Sequence, residues 1–162
     1  MKNENKKSIE FTKKQFLALM KTVYLGNWMA NANRDGSPED PLIKEYEKIE
    51  DYIFSLAPEF GFDKYLDHEP KDGERYFPTG LFEKETDVNK LHDEYDEETF
   101  WDELPERLGD RDFYKKYSKE DWEKMTKEDE RYMKMQECII KWEEELENNG
   151  IERLGVINES NI

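Results

Sequence analysis

Residues 11–36, FTKKQFLALMKTVYLGNWMANANRDG, hold the least charged run of a chain that is 41% charged overall. Between Phe16 and Asn33 the only charged side chain is Lys21. Thr12, followed three residues later by Gln15, is a reciprocal capping pair that predicts a helix start. Phe11 before the cap and Phe16 at the fourth helical position form a hydrophobic staple. Apolar residues then fall on every side, from Leu17 and Leu19 through Met20, Val23, Tyr24 and Leu25 to Trp28 and Met29. A helix that is apolar all round is normally enclosed by other elements. Asp35-Gly36-Ser37-Pro38 breaks it. The segment therefore predicts a buried N-terminal helix with the rest of an all-α domain around it.

At 162 residues the chain is read as one domain, 1–162, long enough to bury a core without disulfide or metal staples. Residues 1–7 are expected to be disordered and 158–162 frayed. Hydrophobic content is 35% and mean hydropathy −1.14, yet 14% of residues are aromatic. Phe, Tyr and Trp bury a large area each, so a thin aromatic core inside a solvated exterior is expected.

Working outward, Asp40-Pro41 marks a second helix start, with Asp as cap and Pro at the first helical position. Leu42, Ile43, Tyr46, Ile49, Tyr52, Ile53 and Leu56 recur at threes and fours, predicting its inner face. Residues 59–86 carry aromatics among glycines and prolines and read as a long, packed, irregular loop. Thr86 is read as the cap of a short helix to Tyr95. A further helix spans about 96–117, bent or divided at Pro105 or Gly109. Ser118 and Thr126 are later cap signals, and the last helix runs from Lys127 to about Asn148, stopped by Asn148-Asn149-Gly150. Ser8–Phe11 and Ile151–Ile157 are expected to pair as a small terminal ribbon. The sum is about five helices around the first, with no internal repeat.

The net charge of −16 is uneven. Residues 1–40 carry seven Lys/Arg against five Asp/Glu; the remaining 122 carry 18 against 36. Such a surface repels nucleic-acid phosphates and anionic headgroups, so direct nucleic-acid or membrane binding is not expected. A protein partner fits, a basic one best. Lys21 and the amides within the long apolar segment argue against a bilayer span. MKNENKK runs into Ser8-Ile9-Glu10 rather than an apolar stretch, so no secretory signal is read and a cytoplasmic location is expected. The Lys/Glu/Asn-rich composition suggests a bacterial-type protein.

Chemistry-bearing motifs are few. Cys138, the only cysteine, sits among Met135, Ile139, Ile140 and Trp142 and reads as a buried, inert thiol. Neither a Gly-x-Ser-x-Gly elbow nor a phosphate-cradling glycine loop occurs, so no nucleotide or other cofactor is expected. The window 92–112, HDEYDEETFWDELPERLGDRD, has ten acidic residues and two arginines. Carboxylates three or four apart on a helix lie near enough to share a cation. His92, Asp93 and Asp96 are thus the ligand set of an alternative reading, a metal-assisted hydrolase. His92-Asp93 resembles the dipeptide of the HD-type metal phosphohydrolases, which pair it with an earlier His and a later Asp. His68 and Asp110 or Asp112 would take those parts, but the resemblance is confined to the dipeptide and carries no residue roles.

Two further patterns stand out. Asn27, Asn31 and Arg34 share one face of the first helix, and buried amides require partners. A structural network is favoured; a small-ligand pocket would be lined by Tyr24, Asn27, Trp28, Asn31 and Arg34. The second pattern is the carboxylates Glu94, Glu97, Glu98 and Asp102, read as an interaction face. Extended by Glu106, Glu143, Glu144, Glu145 and Glu147, they would also suit a DNA-mimicking inhibitor. The leading expectation is a non-enzymatic acidic interaction or regulatory protein, with self-association left open by the stripe on the last helix.

Overall fold

The computed structural model describes residues 7–69, 75–125 and 128–155. The fold is all-α, with six α-helices and one two-stranded antiparallel ribbon among the described residues. Where the sequence reads as one helical domain, contacts group the chain into two compact units, Met1–Asp93 and Glu94–Ile162. The expected disorder and fraying at the termini fall outside the described residues, except at Lys7, which is exposed coil.

The first unit is built on α1 (Lys13–Asn31) and α2 (Lys44–Ser55). Thr12 caps α1 as expected: its Oγ1 accepts the Gln15 N–H at 3.3 Å and Gln15 Oε1 accepts the Thr12 N–H at 2.9 Å. Phe11 meets Phe16 edge-on at 6.4 Å, and Phe16 stacks on Phe60 at 3.9 Å. Only Phe16 and Met20 of α1 are fully buried, however. Leu17, Leu19, Val23, Tyr24 and Leu25 are half-buried and Met29 is exposed, so α1 flanks the core rather than threading it. One layer of helix cannot be enclosed by so few apolar partners.

The start of α2 departs from the sequence reading. Its N-cap is Ile43, without a side-chain cap, and Asp40-Pro41 lies before it. Asp40 instead accepts from Arg34 and closes the turn at Gly36, whose φ of 76° suits glycine. The inner face stands in part: Ile53 is buried and Leu42, Ile43 and Leu56 half-buried as expected, but Glu50 and Phe54 are buried beside Ile53 while Tyr46, Ile49 and Tyr52 face solvent, Tyr52 at 60% exposure. Both stripes have helical spacing, and the fully buried ring of Phe54 selects between them.

The described residues of 57–85, which are 57–69 and 75–85, hold regular elements where an irregular loop is expected. Two 3₁₀ turns, Ala57–Phe60 and Asp63–Tyr65, lead into β1 (Leu66–Glu69), which pairs with β2 (Arg75–Pro78), His68 opposite Tyr76. The ribbon lies here and not between the termini. Phe11 is held by the staple, and after Gly150 the chain continues in hydrogen-bonded turns rather than extended backbone; residues 156 and 157 lie outside the described residues. α3 (Gly80–Glu85) follows, capped by Thr79, and Thr86 ends it instead of opening the next helix. Phe82 of α3 is fully buried against the rings of Tyr24, Phe54 and Tyr65 at 5.5, 5.1 and 5.6 Å.

α4 (Val88–Lys116) is one helix with Pro105 inside it, not two. Its beginning belongs to the first unit and its remainder to the second, which adds α5 (Lys119–Lys124) and α6 (Glu128–Asn149). Ser118 caps α5 as its cap signal suggested, in a reciprocal box with Asp121, while Thr126 lies outside the described residues. α6 ends at Gly150, φ 56°. On α4, Pro105, Gly109 and Phe113 are buried at successive fourth positions; Cys138, Ile139 and Leu146 are buried on α6. A Cβ at Gly109 would stand 2.6, 2.7 and 2.8 Å from Cγ1, Cα and N of Ile139, so the two helices meet backbone to backbone.

Two glycine substitutions should therefore act in opposite directions. Gly109→Ala must push α6 away and is expected to lower stability by about 1–3 kcal/mol. Gly26→Ala has nothing within 4 Å of its new methyl and should raise stability by about 0.5–1 kcal/mol through reduced backbone freedom. Denaturant unfolding of the two variants checks both; a neutral Gly109→Ala would contradict the close approach.

Candidate functional site

The polar line along α1 is a brace. Asn27 Nδ2 donates to Glu50 Oε2 on α2 at 2.5 Å, and Asn27 Oδ1 accepts from Asn31 Nδ2 at 2.8 Å. Asn31 Oδ1 then accepts the Ile43 backbone N–H at 2.8 Å. That donor heads α2 and has no partner within its own helix, so Asn31 supplies the cap that Ile43 lacks. Arg34 donates to Asp40 Oδ1 at 3.1 Å and to the Ala30 carbonyl at 3.3 Å. Asn27 and Asn31 thus join α1 to α2, whereas Arg34 lies past the end of α1 at Asn31, off the expected helix face, and ties to Asp40 in the chain before α2.

Tyr24 and Trp28 lie beside that line with other partners. The Tyr24 hydroxyl donates to Glu83 at 2.9 Å, and burial together with that carboxylate pushes the phenol well above its ordinary value. Trp28 packs its ring 3.9 Å from that of His92. Glu50 is the one buried charged side chain among the described residues, at 8% exposure. Burial pushes its carboxyl up to about 7, and the amide of Asn27, which lowers it, does not compensate. Nearby, Arg75 pairs with Glu47 at 3.0 Å and reaches Asp51 at 3.8 Å.

The acidic window is displayed and not gathered. Asp93, Glu94, Asp96, Glu97, Glu98 and Asp102 are all exposed along α4. Among the described residues no three His, Cys, Asp or Glu side chains approach one another as a metal site would require. Glu97 Oε1 accepts the Trp101 indole N–H at 2.6 Å, tying an interaction-face carboxylate to an aromatic ring.

A concavity of the second unit lined by Asp96, Thr99, Phe100, Glu103, Leu104 and Arg107 lies along α4, and two others lie between α4 and α6. One, about 690 Å³, is a trough lined by Trp101, Asp102, Pro105 and Glu106 of α4, by Glu143, Leu146 and Glu147 of α6, and by Gly150. Of these, the sequence reading placed only Asp102 on the interaction face. Glu106, Glu143 and Glu147 appear in it only as DNA-mimic carboxylates, and Trp101, Pro105 and Leu146 not as site residues. The carboxylate pairs Asp102/Glu106 and Glu143/Glu147 are each one helical turn apart, a visible signal; that the two pairs face one trough is a tertiary fact. The other concavity, about 410 Å³, is lined by Asp112, Lys116, Cys138, Lys141, Trp142, Glu145 and Arg153. There the Trp142 indole N–H donates to Asp112 Oδ2 at 2.8 Å and Arg111 pairs with Asp112 at 2.8 Å. Burial alone would raise the Asp112 carboxyl, but these two donors hold it below the usual carboxylate range. Cys138 is buried, as its apolar neighbours suggested.

Comparison of the chain with known protein families, curated proteins and solved structures finds no match.

Glu50 makes stability depend on pH in a defined window. Its ordinary value is 4.5 and its folded value about 7, so the folded chain binds more protons between them and stability falls as pH rises through that interval. Glu50→Gln should therefore gain on the native chain by up to about 3 kcal/mol between the lower and upper ends of the window, at ~1.4 kcal/mol per pKa unit. Urea unfolding of both proteins across that window measures the difference. A constant difference would mean that Glu50 titrates normally.

Proposed function

We propose that this chain is a non-enzymatic, cytoplasmic interaction or regulatory protein that works through the helical surface of residues 94–162. What carries this reading is the display on α4. Phe100 and Trp101 are exposed side by side, their rings edge-to-face at 5.2 Å, between Glu97, Glu98 and Asp102. Aromatic anchors ringed by polar groups are the usual composition of binding hot spots, and a charge run serving solubility alone has no use for them. No helix among the described residues is long and apolar enough to cross a membrane. A partner met from solution, positively charged where it touches α4, suits the carboxylates.

Affinity capture with the native chain as bait, followed by the triple reversal Glu97→Lys, Glu98→Lys, Asp102→Lys, tests the proposal. Captured partner should fall about tenfold or more, as expected when rim charges are reversed against a cationic surface. Unfolding should hardly change, because all three side chains are exposed. Retention of every partner at native levels would reduce this face to solvation.

A further inference from the structure

Taking the chain as an interaction protein, as above, we infer that the trough between α4 and α6 receives a cationic amphipathic segment of a protein partner. Its floor is apolar, made by Trp101, Pro105 and Leu146, and its walls carry Asp102 and Glu106 on one side and Glu143 and Glu147 on the other. Neither lysine nor arginine lines it. None of the four carboxylates forms an ion pair or hydrogen bond with another described residue. Four acids elsewhere in the unit are answered: Arg107 pairs with Glu103, Arg111 with Asp112, Lys119 with Glu123 and Arg153 with Glu145. In the trough four carboxylates without such a partner converge on one apolar floor.

Like charges one turn apart on a helix repel, and a second such pair across the trough adds to that repulsion. A positive occupant relieves both. A bare ion would leave Trp101, exposed by 37%, with no use. A second copy of this chain brings a net charge of −16 of its own. A peptide segment with an apolar anchor between lysines or arginines one turn apart satisfies floor and walls together. Arginine is the better cation beside Trp101, because a guanidinium also attracts the indole face.

The test uses the full chain and a fluorescein-labelled synthetic helix about five turns long, with leucine anchors flanked on both sides by lysine and arginine. One analogue replaces the leucines by serine and keeps the charge. Fluorescence anisotropy at ~0.15 M salt, where the screening length is about 8 Å, measures binding. The parent peptide should bind, and the serine analogue about tenfold or more weaker. Two independent trough variants, Asp102→Asn with Glu143→Gln, and Glu106→Gln with Glu147→Gln, should each weaken the parent peptide by about tenfold. Glu45→Gln with Glu59→Gln removes the same charge from exposed positions in the first unit and should change binding by no more than about twofold. No binding of the parent, equal binding of the serine analogue, or equal losses in trough and control variants would each overturn the inference. If a captured partner is lost on reversal at Glu97 and Glu98 but is indifferent to both trough variants, the interaction role stands and the trough alone falls.

Discussion

The first unit depends on one side chain, Phe82. Its ring is fully buried and meets Tyr24 of α1, Phe54 of α2 and Tyr65 before the ribbon, so three elements close around it. A chain with 41% charged residues has few apolar groups to spend. Concentrating contact on one aromatic is how such a composition still closes a core. Local hydrogen bonds place the ring. The Thr79 N–H donates to the Tyr65 carbonyl at 3.0 Å, and Thr79 Oγ1 accepts from Phe82 N–H at 3.3 Å, capping the short helix. The ribbon and its flanking turns are therefore part of the core's construction, since they deliver α3 to the α1–α2 pair.

The Asn27–Asn31 line supplies direction where the apolar contacts do not. Hydrophobic burial alone would accept either stripe of α2. The amide of Asn27 reaches Glu50, and Asn31 reaches the Ile43 N–H, so the start and the middle of α2 are fixed in one register from α1. The cost is a carboxylate held at the apolar face, which burial resists ionising. Stability near neutral pH is thus reduced by the same group that specifies how the helices meet.

Local signals were legible, and contacts at a distance were not. The capping box at Thr12, the cap at Ser118 and the stop at Gly150 depend on residues within four positions, and each stands as read. Asn27, Asn31 and Arg34 were legible as a set because two amides in an apolar stretch need partners; that the partners are Glu50, Ile43 and Asp40 was not. The inner face of α2 was legible at Ile53 and misread at Tyr46, Ile49 and Tyr52, because these also recur at helical spacing and periodicity cannot rank two overlapping stripes. The ribbon was missed because Leu-Asp-His-Glu lacks β-branched residues, so its strand identity comes from pairing with Arg75–Pro78. Gly109 read as a possible break because a glycine in a helix usually weakens it. Its actual role, letting α6 approach at Ile139, exists only once two helices are packed.

The second unit sharpens what an acidic composition means. Excess charge spread evenly would serve solubility and nothing more. Here it is segregated. Lys116, Lys141 and Arg153 border the hollow at Trp142, with Arg111 lying 5.4 Å over that ring, and there the carboxylates of Asp112 and Glu145 are answered. Asp102, Glu106, Glu143 and Glu147 border the trough at Trp101 with no cation in its lining. The two concavities share the same pair of helices, so a modest exchange of lysines for glutamates along α4 and α6 would have paired both. Solubility is indifferent to that arrangement, since the net charge is the same either way. Recognition is not, because a cationic segment gains Coulomb attraction only where carboxylates converge without their own counter-charge, and gains burial only where an apolar floor lies between them.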